Sequence, residues 1–287
     1  MALNYLSKAG INKFIRSALN EDVGDGDHTS MGSIPTDDRS AAKLLIKGSG
    51  VIAGIELAND IFHFVDPNLK VELLKEDGNW VEDGQIALKV RGNTRNILKS
   101  ERLVLNCMQR MSGIATKTFR LNQMIEGTNA KLLDTRKTTP NFRMMEKWAV
   151  AIGGGHNHRF GLYDMILLKD NHIDYAGGIH KAVIGVVNYL KENNLELDIE
   201  VEVRSIAELE EALEMPQVKR VLLDNMLPSE MRLAVQKVNK TKETEASGGI
   251  NEKNIREIAE TGVDYISVGA LTHSYQSLDM SLKAEKE

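Results

Sequence analysis

Residues 151–161 read AIGGGHNHRFG: three glycines run into His156, then His158 and Arg159. Glycine loses more backbone freedom on folding than any other residue, so three in a row beside nitrogen-rich side chains need a reason. A metal site, an anion pocket approached closely by backbone, and a plain surface loop are the candidates. Zinc wants further ligands, and the chain has one cysteine and no second histidine pair. Arg159 would also repel a divalent cation. His158 with Arg159 reads better as an anion clamp: the guanidinium offers a planar fork to carboxylate or phosphate, and the imidazole a donor able to carry charge. His156 fits an ordinary loop better than either neighbour.

More cations stand at comparable places. In LLDTRKTTP an apolar run ends at Asp134-Thr135, and Arg136 and Lys137 follow at once. In MILLKDNH another run ends at Lys169, either a Schiff-base nucleophile or a fixed positive charge. Arg143 either reaches the pocket or lies on a solvated helix face. Cations converging on one mouth repel unless the ligand carries more than one negative charge, so the bound species should be a dicarboxylate, a phosphorylated sugar, or both.

The sign then reverses. IEVEV carries Glu200 and Glu202, two apart and so on one strand face, and VLLD ends in Asp224. Carboxylates beside a phosphate-binding mouth suggest Mg²⁺, held directly or through water or substrate. They would equally hold sugar hydroxyls or stabilise a developing cation. Ser247-Gly248-Gly249, and Gly269-Ala270 after the last strand, expose backbone N–H groups ahead of helices. That is the phosphate-binding arrangement of the last two strands of a barrel.

These residues need elements to hold them in register. The segments AKLLDTR, DMILLKDN, DIEVEVR, RVLLDN, TEASGG and YISVGA are short apolar strands ending at Asp134, Lys169, Glu202, Asp224, Ser247 and Gly269. Helical faces lie between them, such as Ile206, Leu209 and Leu213. Strand and helix in alternation argue for a parallel sheet. Functional residues at every strand end argue for a (β/α) barrel, incomplete because fewer than eight units are readable. A flat doubly wound sheet is the alternative, but no G-x-G-x-x-G follows the first strand. Upstream the pattern is mixed: a helical face through Ile11, Ile15 and Leu19, strands in AAKLLIKG and LKVELLK, and a helix through Ile55, Ile61 and Phe62. A short strand lies in DGNWVEDGQIALKVRGN, followed by a long helix from about Thr94 to Met111, punctuated by Ser112-Gly113. A further helix is expected to start at Thr139-Pro140 and stop at Gly153. The reading is two domains, 1–111 and 112–271, with the tail 272–287 packing back on the first.

With 287 residues, 42% apolar, the chain can bury a proper core. A net charge of −5 without a basic block disfavours nucleic acid. The lone Cys107 fits a reducing cytosol, and neither a leader-like run nor a membrane-length apolar run is visible.

TRKTTP, GGGHNHR, LLKDNH, EVEV, LLDN and EASGGI, in this order, resemble the quinolinate phosphoribosyltransferase family, and EDVGDGDHTS, SERLVLN and SGIAT fit as well. The resemblance spans nearly the whole chain. It implies transfer of phosphoribosyl from phosphoribosyl pyrophosphate to quinolinate, with Mg²⁺, giving nicotinate mononucleotide, diphosphate and CO2. The implied fold is an N-terminal α/β sandwich domain and an open-faced, incomplete α/β barrel. A cytoplasmic homodimer, or a hexamer of dimers, is implied too, with Arg102 completing the neighbouring subunit's site. The similarity assigns quinolinate binding to Arg102, Arg136, His158, Arg159 and Lys169, with Thr135 and Lys137 close by. Lys137, Lys169, Glu202 and Asp224 carry the catalysis, Glu202 and Asp224 the Mg²⁺ and phosphoribosyl side, and Ser247, Gly248, Gly249, Gly269 and Ala270 the phosphate contacts. Glu200 is left as an alternative to Glu202. Asn141 stands where the family usually has Gly, and Trp148 where Tyr or Phe is usual.

Overall fold

The structure is a computed structural model that describes residues 4–285; residues 286–287 of the expected C-terminal tail and residues 1–3 lie outside it. Its contacts divide the chain into two units. One holds the chain up to Phe119, Thr138–Gly154 and everything from Leu271; the other holds Arg120–Lys137 and Gly155–Ala270.

The first unit opens with α1 (Lys8–Val23), capped by the Ser7 hydroxyl, and α2 (His28–Ser33), capped by Asp27. Then come β1 (Arg39–Ile46), β2 (Gly50–Val51), α3 (Ile55–Val65), β3 (Lys70–Leu73), β4 (Trp80–Val81) and β5 (Ile86–Asn93). The stretch expected to hold one short strand therefore holds two. The alternation of small and apolar residues in β1 buries Ala42, Leu44 and Ile46 on one face. That strand lies antiparallel between β5 and β12 (Met280–Glu285), and β3 completes the sheet in the order β12-β1-β5-β3. Ile15, Leu44, Ile46, Ile61, Phe62 and Leu88 are fully buried in this unit.

Helix α4 runs from Thr94 to Met124, through the Ser112-Gly113 expected to end it. Both residues have other work. The Ser112 hydroxyl accepts from Ala53 N–H at 2.9 Å. A Cβ on Gly113 would overlap the Gln276 carbonyl, so the glycine lets two backbones approach rather than stopping a helix. Helix α5 (Arg143–Ile152) begins three residues later than Pro140 suggests, because Asn141 has φ 62°. Asparagine tolerates that left-handed conformation best after glycine, which accounts for Asn at this position. Gly153 caps α5 at φ −73°, an ordinary angle. Its Cβ would collide with the Ala115 carbonyl of α4, so close packing is what requires glycine there.

The second unit is six parallel strands with helices between them: β6 (Lys131–Leu133), β7 (Ile166–Leu168), β8 (Ile199–Val203), β9 (Val218–Asp224), β10 (Glu243–Ser247) and β11 (Tyr265–Ser267). Helices α6 (Asp170–Ala176), α7 (Ile179–Glu192), α8 (Ile206–Leu213), α9 (Pro228–Val238) and α10 (Ile255–Ala259) lie between the strands, and α11 (Ala270–His273), which follows β11, passes into the first unit at Leu271. The order β6-β11-β10-β9-β8-β7 is the cyclic order of a barrel with one seam missing, between β6 and β7. The barrel is open, and the flat doubly wound alternative is discarded because the strand order never reverses. Val201, Val203, Val221, Leu223 and Ala246 form one buried apolar layer, and the intervening positions form the other face.

Candidate active site

Every strand of the second unit points the same way, so every C-terminal end lies on one edge. Thr135, Arg136 and Lys137 follow β6, and Lys169 caps α6 directly after β7. Glu202 is the penultimate residue of β8, Asp224 ends β9, and Ser247 ends β10 ahead of Gly248 and Gly249. Gly269 and Ala270 follow β11. His158 and Arg159 join this edge through His156, whose N–H donates to Leu132 O at 2.8 Å and whose carbonyl accepts from Asp134 N at 3.1 Å. His156, left as a loop residue by its type, thus extends β6 through its main chain. Arg102 belongs to the first unit, where it is exposed on α4.

The clamp is held from below by Asp134, a fully buried residue whose carboxylate accepts from His158 N at 2.8 Å and Asn157 Nδ2 at 2.6 Å. Arg159 donates its guanidinium to Met165 O at 3.1 Å. Burial, and then the neighbouring charge of Arg136, hold the Arg159 guanidinium below its ordinary value. The charge of Arg136 is therefore felt at a partly desolvated Arg159, and two like charges on this edge would be relieved by a bound anion.

Beneath the clamp lies a layer in which His158 and Glu200 were singled out from sequence but Arg220 and Glu245 were not. His158 Nε2 stands 3.1 Å from Glu200 and 3.4 Å from Glu245, and Arg220 reaches Glu245 at 3.0 Å. Arg220 also stacks over Tyr265, 4.1 Å from the ring centre. The clue was present: Glu200, Arg220 and Glu245 each precede a rim residue by two or four positions, and so share its strand face. Burial, and then the charge of Glu245, push Glu200 up to about 7. For Glu245 burial acts upward, but His158 and Arg220 outweigh it and hold it low. His158, Glu200 and Glu245 are grouped as metal ligands would be, with donor atoms within 4.8 Å. The imidazole and Arg220 already supply the opposing charge there, so a cation has little to add.

The acidic rim is distinct from this layer. Glu202 is half-buried, and burial, then the charge of Asp224, raise its carboxyl. Asp170 N–H donates to Glu202 Oε1 at 3.4 Å. Ser247 Oγ donates to Asp224 Oδ1 at 2.8 Å, and Asn225 Nδ2 to Oδ2 at 2.6 Å. Two mutually repelling, partly solvated carboxylates are a hard-oxygen donor set that fits Mg²⁺. Depth separates Glu202, at the rim, from Glu200, fully buried below it.

Gly248 and Gly249 adopt φ 93° and φ 61°, both left-handed. The expected helix N-terminus is not directly behind them: α10 starts at Ile255, because Asn251 and Asn254 fold back to the Gly249 carbonyl at 3.0 and 3.2 Å. After β11 the expectation holds, since α11 starts at Ala270 itself.

Comparison with known proteins agrees with this architecture. The profile "Quinolinate phosphoribosyl transferase, N-terminal domain" matches residues 27–112, and the corresponding C-terminal domain profile matches residues 114–283. The chain is 47% identical to the chloroplastic "Nicotinate-nucleotide pyrophosphorylase [carboxylating]" of Arabidopsis thaliana, covering 95% of this chain and 82% of that protein. It is 39% identical to the "Probable nicotinate-nucleotide pyrophosphorylase [carboxylating]" of Bacillus subtilis, covering 95% and 92%. The solved structure of NadC from Streptococcus pyogenes superposes with a TM-score of 0.90 at 35% identity, over 98% of this chain and 99% of that one. The chain belongs to the quinolinate phosphoribosyltransferase family.

Proposed function

We propose that this enzyme transfers phosphoribosyl from phosphoribosyl pyrophosphate to quinolinate and releases CO2, forming nicotinate mononucleotide and diphosphate for NAD biosynthesis. The observation that carries the reading is the gathering of Arg136, Arg159 and Lys169 with Glu202 and Asp224 on one edge of the parallel sheet, cations suited to a substrate with two adjacent carboxylates beside acids suited to an activated sugar. Family membership and the names of relatives support the same reaction.

In this reading Arg136 and Arg159 grip the carboxylates, with Thr135, His158 and Lys169 beside them. Lys169 is exposed and lies close enough to Glu202 to lower its pKa. That suits a fixed cation better than a Schiff-base amine, which burial would have to deprotonate. As diphosphate leaves, the ribosyl carbon becomes cationic. Glu202 and Asp224 stabilise it, and Lys137 meets the departing diphosphate. Mg²⁺, when held by Glu202 and Asp224, would supply charge neutralisation for that leaving group. Ser247, Gly248, Gly249, Gly269 and Ala270 hold the phosphate of the sugar. The ring nitrogen attacks as the C–O bond breaks, giving a pyridinium. The C–C bond to the adjacent carboxylate then breaks, its electron pair stays on a ring carbon stabilised by the cationic nitrogen, and that carbon takes a proton.

Arg102, exposed on α4, is the group a second copy would receive, so the working unit is a homodimer or a hexamer built from dimers. The lone buried Cys107 supports a reducing compartment such as the cytosol. No helix among the described residues is long and apolar enough to cross a membrane. Incubation with quinolinate, phosphoribosyl pyrophosphate and Mg²⁺ should release CO2 and nicotinate mononucleotide in equal amounts. Turnover of nicotinate in place of quinolinate, without CO2, would overturn the reading.

A further inference from the structure

Asn225 follows Asp224 in the LLDN stretch and has no part in the chemistry above. Its surroundings give it one. Its backbone is left-handed, with φ 53°. Its N–H donates to the Ser247 carbonyl at 2.9 Å, joining the end of β9 to the end of β10. That backbone turn aims the side chain back, so that Nδ2 donates to Asp224 Oδ2 at 2.6 Å. Ser247 Oγ holds the other oxygen at 2.8 Å. Both carboxylate oxygens thus have one fixed donor each, and each keeps a lone pair for a further ligand.

The far side of the Asn225 amide rests against Gly248. A Cβ on Gly248 would overlap Asn225 Oδ1 and come within 2.9 Å of Asn225 N. The glycine is therefore a socket as well as a flexible backbone position. We infer that Asn225, wedged between Gly248 and Asp224, is the positioning residue that sets the orientation of Asp224 toward the phosphoribosyl substrate. The inference rests on the reading of Asp224 as a phosphoribosyl-side residue.

Two consequences follow from the geometry. Gly248 has a role that no side-chain-bearing residue fills, even if its N–H never touches a phosphate. Loss of the Asn225 amide should also damage the sugar side of the reaction and leave quinolinate recognition alone. A carboxylate pinned by two donors pays no ordering cost when substrate arrives, whereas one that swings does.

The test compares Asn225→Gly, Asn225→Asp and the unaltered enzyme. Glycine keeps the left-handed backbone without strain and removes only the amide. Losing a hydrogen bond to a charged group should raise KM for phosphoribosyl pyrophosphate by about tenfold, with KM for quinolinate within about twofold. Aspartate keeps shape and backbone preference but sets a second carboxylate against Asp224, so its loss should be larger and should shrink as Mg²⁺ is raised. Calorimetric titration of phosphoribosyl pyrophosphate into each protein should give the same ranking of Kd without turnover. Equal rises in both KM values, or unchanged Kd and KM in the glycine variant, overturn the inference. If the glycine variant does not fold, the aspartate variant decides by the same selectivity. Absence of turnover in the unaltered enzyme would instead strike the reading of the reaction itself.

Discussion

His158 Nε2 lies 3.1 Å from Oε2 of Glu200 in the interior of the open barrel, both side chains almost wholly removed from solvent. Burial alone would depress the ring. Hydrogen bonding to Glu200 and Glu245, and their charge, outweigh burial and lift it to about 9. On its other side Nδ1 accepts the Arg159 N–H at 2.7 Å. A proton added at Nδ1 must break that bond, so the charge state of His158 is tied to the backbone of Arg159, a residue of the proposed anion pocket.

The first prediction follows from that tie. The folded value of about 9 exceeds the ordinary 6.5, so this interaction contributes stability in full below about pH 6.5 and loses it as pH rises toward 9. The unfolding midpoint should fall across that window, and fall less in His158→Gln. Nitrogen NMR of the imidazole should titrate near the upper end of the window, with the Arg159 amide following the same midpoint. A ring midpoint at or below the ordinary value would contradict the account.

Arg220 is the fixed cation beneath the clamp, 3.0 Å from Glu245 and 2.9 Å from Glu243. Arg220→Met leaves Glu245 buried with half its counter-charge. It should cost about 3–5 kcal/mol in denaturant unfolding, because an uncompensated buried charge is worse than no charge at all. Adding Glu245→Gln should recover part of that loss. A single variant within about 0.5 kcal/mol of the parent would show that the layer is not held by charge balance.

Arg136→Ala should reduce kcat/KM for quinolinate at least about thirtyfold, corresponding to the loss of one partner from a desolvated charge pair. KM for phosphoribosyl pyrophosphate should change little. Steady-state kinetics with each substrate varied in turn would separate the two, and near-normal quinolinate kinetics would refute the anion-pocket assignment.

Chelation of divalent cations should abolish turnover. Glu202→Gln and Asp224→Asn should each move the Mg²⁺ activation curve to higher concentration and lower kcat by about a hundredfold. Asp224→Asn should also lower the Glu202 pKa, since the Asp224 charge is second only to burial in raising it. Full activity in a chelator would remove the metal from the mechanism.

Gly113→Ala sets two effects against each other. In a helix interior alanine is favoured over glycine by about 1 kcal/mol. Here the new Cβ overlaps the Gln276 carbonyl, and forced backbone shifts cost about 1–3 kcal/mol. The clash should win, and thermal unfolding should show a lower midpoint. A raised midpoint would mean that Gly113 is only a weak point in α4.

The clearest parts of the molecule in the sequence were those set by local pattern. The six short strands expected from AKLLDTR onward all became parallel strands, and most of those runs end at a polar residue because the strand leaves the core there. Gly113 and Pro140 misled for one reason. Glycine and proline report local conformational freedom, but Gly113 answers to Gln276, far along the chain, and Asn141 postpones the helix that Pro140 announces. Glu245 and Arg220 went unnoticed because a charged residue within a strand looks like a solvated face until its neighbours are known.

Sequence by itself determined the alternation of strand and helix and the identity of the residue at each strand end, since both follow from periodicity and from the chemistry of single side chains. Tertiary structure alone decided that the barrel stays open between β6 and β7, that Glu200 lies buried while Glu202 reaches the rim, and that Asn225 is seated on Gly248. Those outcomes depend on desolvation and on contacts between distant segments, and no residue carries its own dielectric surroundings or its partner's position in its type.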